Sequence, residues 1–186
     1  GQADADLPEP AKRLDDRHAV DVIIETARSC QGELYIAALG PLSNIALALT
    51  KCPELKDQVK GIYAIAGTFG LNAYASANAT GDNPRSEWNV FVDPEAAEIV
   101  FGSGIDVVCL GLDVTTHFDV NFTDAELDQL RSSNRKEAAF LLNMIEFVNR
   151  RGFESYCTLI DSMAVAALID PTLIRTISGK VGVETK

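Results

Sequence analysis

Long apolar runs are missing from this sequence: no stretch approaches the roughly 20 consecutive apolar residues of a membrane-spanning helix. Histidine is scarce, at two residues, and the four cysteines (Cys30, Cys52, Cys109 and Cys157) are scattered with no CxxC pair and no histidine beside them. That spacing argues against zinc. Cys109 lies inside the apolar run IDVVCLG and Cys157 just ahead of another, the pattern of buried reduced thiols. A cytoplasmic, reducing compartment is therefore expected. Positive charge is in deficit, with 16 Lys and Arg against 27 Asp and Glu and a formal net charge of -11. Such a field repels phosphate backbones and argues against nucleic acid as a partner. It suits a neutral or cationic ligand, and it serves plain solubility equally well. The opening GQADADLPEP is polar and acidic, unlike a secretory signal, and has no initiating Met. There is no repeat, low-complexity tract, P-loop, GxGxxG, nucleophile elbow or metal-binding His pair.

What is present is an alternation of buried strands and amphipathic helices. At 186 residues, with 47% hydrophobic and 23% charged residues, residues 1–186 are expected to form a single α/β domain. Apolar residues at helical spacing predict a helix over Asp15–Ser29, stopped at Gly32. Glu33–Leu39 reads as a strand, Pro41–Lys51 as a helix with Pro in its first turn, and Gly61–Gly67 as a second strand. Residues 68–85 have no period and form a long loop, a length that usually marks function or disorder. Asp93-Pro94 opens a helix through Val100, and Ile105–Leu112 is a third strand. Thr123 with Glu126 forms a capping box. Further helices are expected over Asn134–Arg150 and Asp161–Ile169, with a last strand over Leu173–Ile177. Strands with nearly continuous apolar runs, separated by helices, indicate a mostly parallel, open, Rossmann-like sheet flanked by helices.

Ligands collect beyond the carboxyl ends of such strands, which directs attention to the segments that follow each one. After the first comes Leu39-Gly40-Pro41-Leu42-Ser43-Asn44, a ligand turn or simply a tight strand-to-helix turn. After the second come Ala66-Gly67-Thr68 and the long loop, ending in Glu87-Trp88-Asn89. If that end is extended, Glu87 and Asn89 share a face and suit a polyol; alternatively they are two solvent-facing polar residues. Trp88 is a stacking platform or core packing. The third strand leads to Asp113-Val114-Thr115-Thr116-His117, where His117 reads as a surface residue or a catalytic one. Asp161 is a ligand carboxylate or the N-cap of the late helix.

In order, these segments resemble the inosine-uridine preferring nucleoside hydrolase family. The matching pieces are Gly40-Pro41-Leu42-Ser43-Asn44-Ile45-Ala46, Ala66-Gly67-Thr68-Phe69, and Glu87-Trp88-Asn89 running into Asp93-Pro94-Glu95-Ala96-Ala97. Leu112-Asp113-Val114-Thr115 and Asp161-Ser162-Met163-Ala164-Val165-Ala166 complete the series. The resemblance implies hydrolysis of the N-glycosidic bond of ribonucleosides to free base and ribose, assisted by calcium (Ca2+). It implies Asp161 and the Leu39 carbonyl as calcium ligands, and Glu87 and Asn89 as ribose contacts. Ile65 takes the place of a pocket methionine. Asn78, over Asn72 and Asn83, stands for the residue that meets the 5′-hydroxyl. Trp88 leans toward purine-preferring members. Ile160 stands where inosine-uridine members carry histidine and purine-specific relatives tryptophan. A homodimer or homotetramer is also implied. The family's aspartate cluster, with its general base, has no counterpart here; Asp4 and Asp6 have DxD spacing, but Leu7-Pro8 follows. The chain is therefore expected to be a central fragment, inactive alone, with the general-base Asp upstream of Gly1. The alternative from another class is a non-catalytic nucleoside-binding or scaffold protein on the same fold.

Overall fold

The computed structural model describes residues 9–71 and 86–185. Three parallel strands form its sheet, β1 (Leu34–Ala38), β2 (Val59–Ile65) and β3 (Val107–Leu110), in the order β1-β2-β3. The register pairs Ala38 with Ala64 and Ile65 with Leu110, so all three strands end at one edge. This is the open parallel α/β sheet that the sequence predicts.

Alternate side chains of each strand face opposite layers. Leu34, Ile36, Ala38, Ile62, Ala64 and Val107 pack on α1 (Ala19–Cys30), α2 (Ser43–Lys51) and α4 (Pro94–Phe101). Tyr63, Ile65, Val108 and Leu110 pack on α8 (Ser162–Ile169), which presents the fully buried Ala164 and Ala167. Small residues at these two positions let α8 lie close to the sheet. Between β3 and α8 run α5 (Leu112–Thr115), α6 (Asp124–Ser132) and α7 (Lys136–Arg150). The capping box of Thr123 and Glu126 starts α6.

Several boundaries differ from expectation for local reasons. The first helix begins at Ala19, not Asp15: Asp15 is bound to Arg17, and His18, in extended conformation, accepts a hydrogen bond from the Val20 N–H as the cap. Gln31, at φ 52°, and Gly32, at φ 86°, end it. Pro41 precedes α2 instead of joining its first turn, because Leu42 occupies the N-cap. Glu87-Trp88-Asn89 is not extended; Glu87 caps a short helix, α3 (Trp88–Val92). The last predicted strand does not form. Pro171 opens a 3-10 turn over Pro171–Leu173 and Asp170 captures the Thr172 N–H; Ile174 beyond it is extended but pairs with no strand among the described residues. Among the described residues, no helix is long and apolar enough to cross a membrane.

Candidate active site

The carboxyl edge of the sheet gathers the segments after β1, β2 and β3. Leu39 follows Ala38 and, by the register, stands level with Ile65. Its side chain is exposed at the rim. Ile65 is buried against α8, so its side chain is core, and its carbonyl accepts a hydrogen bond from Asn89 Nδ2 at 2.9 Å. That bond ties Asn89 to the end of β2.

Glu87 is 5% exposed, which excludes the reading of a solvent-facing residue. Its carboxylate accepts three backbone N–H groups: Asn89 at 2.9 Å, Val90 at 3.1 Å and Gly67 at 3.2 Å. The first two cap α3, and the third holds the turn that leaves β2. A carboxylate offers about four acceptor positions, so roughly one is left for a ligand hydroxyl. Burial raises the Glu87 pKa; the three N–H groups pull it back, and the charge of Asp161 pushes it further up. Asp161, far apart in sequence, is thus within electrostatic reach of Glu87.

Asp161 occupies the N-cap position of α8, yet its side chain makes no capping hydrogen bond and its backbone is helical. Its carboxyl group is exposed on one side, while protein packed behind it raises its pKa. A cation near either carboxylate would favour its charged form and oppose the effect of burial. Cys109, on β3, feels the same charge: burial and then Glu87 push its thiol up to about 11, so it stays protonated at neutral pH.

Other motif residues prove to be framework. The Ser43 hydroxyl donates to the Asp93 carboxylate, which also caps α4 through the Ala96 N–H at 3.1 Å. This link joins the turn after β1 to the helix pair carrying Glu87 and Asn89. His117 caps the 3-10 turn Phe118–Val120 and lies against the Phe118 ring at 4.4 Å between centroids. Trp88 is 54% exposed and sits beside Phe91, so it is not core packing. Asn78, with Asn72 and Asn83, lies outside the described residues. The sequence reading gave Asp113 no role; it is buried and accepts the N–H groups of Phe69 at 2.6 Å and Leu71 at 2.8 Å. Its place directly after a strand was the available signal.

A parallel α/β sheet with a buried carboxylate and a strand-anchored asparagine at its carboxyl edge has the architecture of α/β proteins that bind small ligands at that edge. The chain belongs to a particular group of such proteins, the inosine-uridine preferring nucleoside hydrolase family, whose model matches residues 1–186. It is 37% identical over 185 residues to "Probable uridine nucleosidase 1" of Oryza sativa subsp. japonica, covering 97% of this chain and 54% of that protein. Among solved structures it resembles a purine-preferring ribonucleoside hydrolase from Gardnerella vaginalis, with TM-score 0.79, 31% identity and coverage of 99% and 57%. It also resembles the plant nucleoside hydrolase PpNRh1, with TM-score 0.81, 28% identity and coverage of 100% and 57%. The chain thus spans about half the length of the relatives it matches.

Proposed function

We propose that this chain is the central part of a nucleoside N-ribohydrolase, which in its complete form splits ribonucleosides into free base and ribose. What supports the reading is that Glu87 and Asn89 are both tied to the end of β2, with Asp161 within electrostatic reach of Glu87, in a chain whose family is named for this substrate class. Breaking an N-glycosidic bond builds positive charge on the ribose ring while water adds to its anomeric carbon and the base leaves with a proton. A carboxylate-rich pocket stabilises that charge. In this reading the remaining acceptor position of Glu87 receives a ribose hydroxyl. Asn89, held by Ile65, meets a second with the rest of its amide.

Calcium is the proposed cofactor, with Asp161 and the Leu39 carbonyl among its ligands. Calcium takes roughly six to eight oxygens, and among the described residues no group of three metal-binding side chains is present. The described residues therefore do not make a calcium site by themselves, and the reading requires further donors, the general base among them, from sequence outside them. A cytoplasmic, homo-oligomeric protein completes the proposal.

The test is release of free ribose from inosine, adenosine, guanosine, uridine and cytidine, with and without chelator. It uses this chain and the chain extended to its natural ends. Activity in the extended chain, lost on chelation, is the expected result, and the ranking of bases then decides between purine and pyrimidine preference. No hydrolysis by the extended chain, with retained nucleoside binding, would replace the enzyme by a binding protein on the same fold.

A further inference from the structure

We propose that Asp113 is a positioning residue for the reaction, acting on Glu87 through the turn Gly67–Leu71; the inference rests on the hydrolase reading above. Asp113 is 6% exposed, and both of its carboxylate oxygens face backbone: Oδ2 accepts from Phe69 N–H at 2.6 Å and Oδ1 from Leu71 N–H at 2.8 Å. A buried carboxylate that accepts N–H groups on either side of one residue fixes the path of that backbone, because each bond is charge-assisted and directional. The same turn is gripped from its other end. Leu112 N–H donates to the Gly67 carbonyl at 3.0 Å, and Gly67 holds φ at 85°. Gly111 is part of the clamp: a Cβ there would stand 2.8 Å from the Gly67 carbonyl oxygen and 3.1 Å from the Phe69 ring. Gly111-Leu112-Asp113 therefore seizes Gly67–Leu71 at successive points.

The far side of this turn carries the connection to the site. Gly67 N–H donates to Glu87 Oε2 at 3.2 Å, among the described residues the one bond from Glu87 to backbone outside its own helix start. With the Val90 N–H, at 3.1 Å from the same oxygen, the Gly67 N–H sets where that oxygen rests. Asp113 is thus linked to Glu87 by turn, amide and carboxylate in series, although it need touch no substrate.

Two arms test this. In the extended chain, Asp113→Asn keeps the side-chain shape but sets an NH2 group against one of the two backbone N–H donors. It is expected to lower kcat/KM for ribonucleosides by about ten- to a hundredfold. In a Glu87→Gln background the same change is expected to have little further effect, because the carboxylate it positions is gone. Effects of the two changes that multiply in full, or an unchanged kcat/KM in Asp113→Asn, would overturn the proposal. The second arm is amide hydrogen exchange in this chain, where Asp113→Asn is expected to speed exchange at Phe69 and Leu71 by about tenfold and to carry the effect to Gly67. Faster exchange at Phe69 and Leu71 with Gly67 unmoved would refute the link regardless of activity. Absence of hydrolysis in the unmodified extended chain would instead strike the hydrolase reading, and the exchange arm would then decide Asp113 alone.

Discussion

Glu87 shows how a single residue carries both the frame and the site. Its three backbone bonds oppose the effect of burial, and burial prevails, so its pKa rises above the ordinary 4.5. The sign of the consequence is fixed. Above 4.5 the unfolded chain has released this proton while the folded chain still holds it. The stability assigned to Glu87 is therefore full below the unfolded value and declines as pH rises through the folded one. Denaturation with urea between pH 4 and 7, with chelator present, is expected to show the advantage of wild type over Glu87→Gln shrinking as pH rises. An advantage that grows with pH would mean that the three N–H groups outweigh burial. Asn89 has the opposite balance, being fixed by one bond to Ile65 and offering the rest of its amide. Asn89→Ala in the extended chain is expected to cost about ten- to a hundredfold in kcat/KM, since ribose contacts strengthen toward the transition state. Equal rates in variant and wild type would remove Asn89 from the site.

The helices are where the sequence speaks most clearly. α4, α7 and α8 lie within a residue or two of their expected bounds, and α6 starts at its expected capping box, because the signals are chemical: Asp93-Pro94, the Thr123–Glu126 box, and the stops at Gly152 and Asp170-Pro171. α3 was not legible, since its start depends on Glu87 accepting N–H groups from a segment twenty residues earlier as well as its own. The absent last strand has another cause: an apolar run at Leu173–Ile177 satisfies the strand pattern and Ile174 is extended, but among the described residues the run pairs with no strand. Asp93 joins two of these elements. Asp93→Ala removes the cap of α4 and leaves Ser43 without its carboxylate. Its expected cost is about 1 to 2 kcal/mol in urea denaturation, with activity of the extended chain falling as α3 loses its support. Ser43→Ala, which spares the cap, is expected to cost less. Equal costs for the two would show that the cap contributes nothing and that the cross-link is the whole effect.

At the scale of the molecule, the parallel sheet and its carboxyl edge were legible because period and composition determine them, and the segment carrying Glu87 and Asn89 does lie against the end of β2. What was not legible was which of their atoms are already engaged. Spacing showed neither that Glu87 is buried and clasped by three amides nor that Asp161, a default N-cap, leaves its carboxylate out of the cap. Both facts arise from contacts between distant segments. They bear directly on the proposed metal site, because Asp161 and the Leu39 carbonyl would supply only two of the oxygens calcium requires. Calorimetric titration of this chain with calcium is accordingly expected to show binding no tighter than about millimolar, the range of weak, under-charged sites. The chain extended to its natural ends is expected to bind far more tightly, and Asp161→Ala in that longer chain to abolish both the tight binding and the hydrolysis. Tight binding by the present chain would locate a complete site within residues 1–186 and overturn the division of ligands argued here. Full activity in the Asp161→Ala variant would remove Asp161 from the metal site and from the reaction.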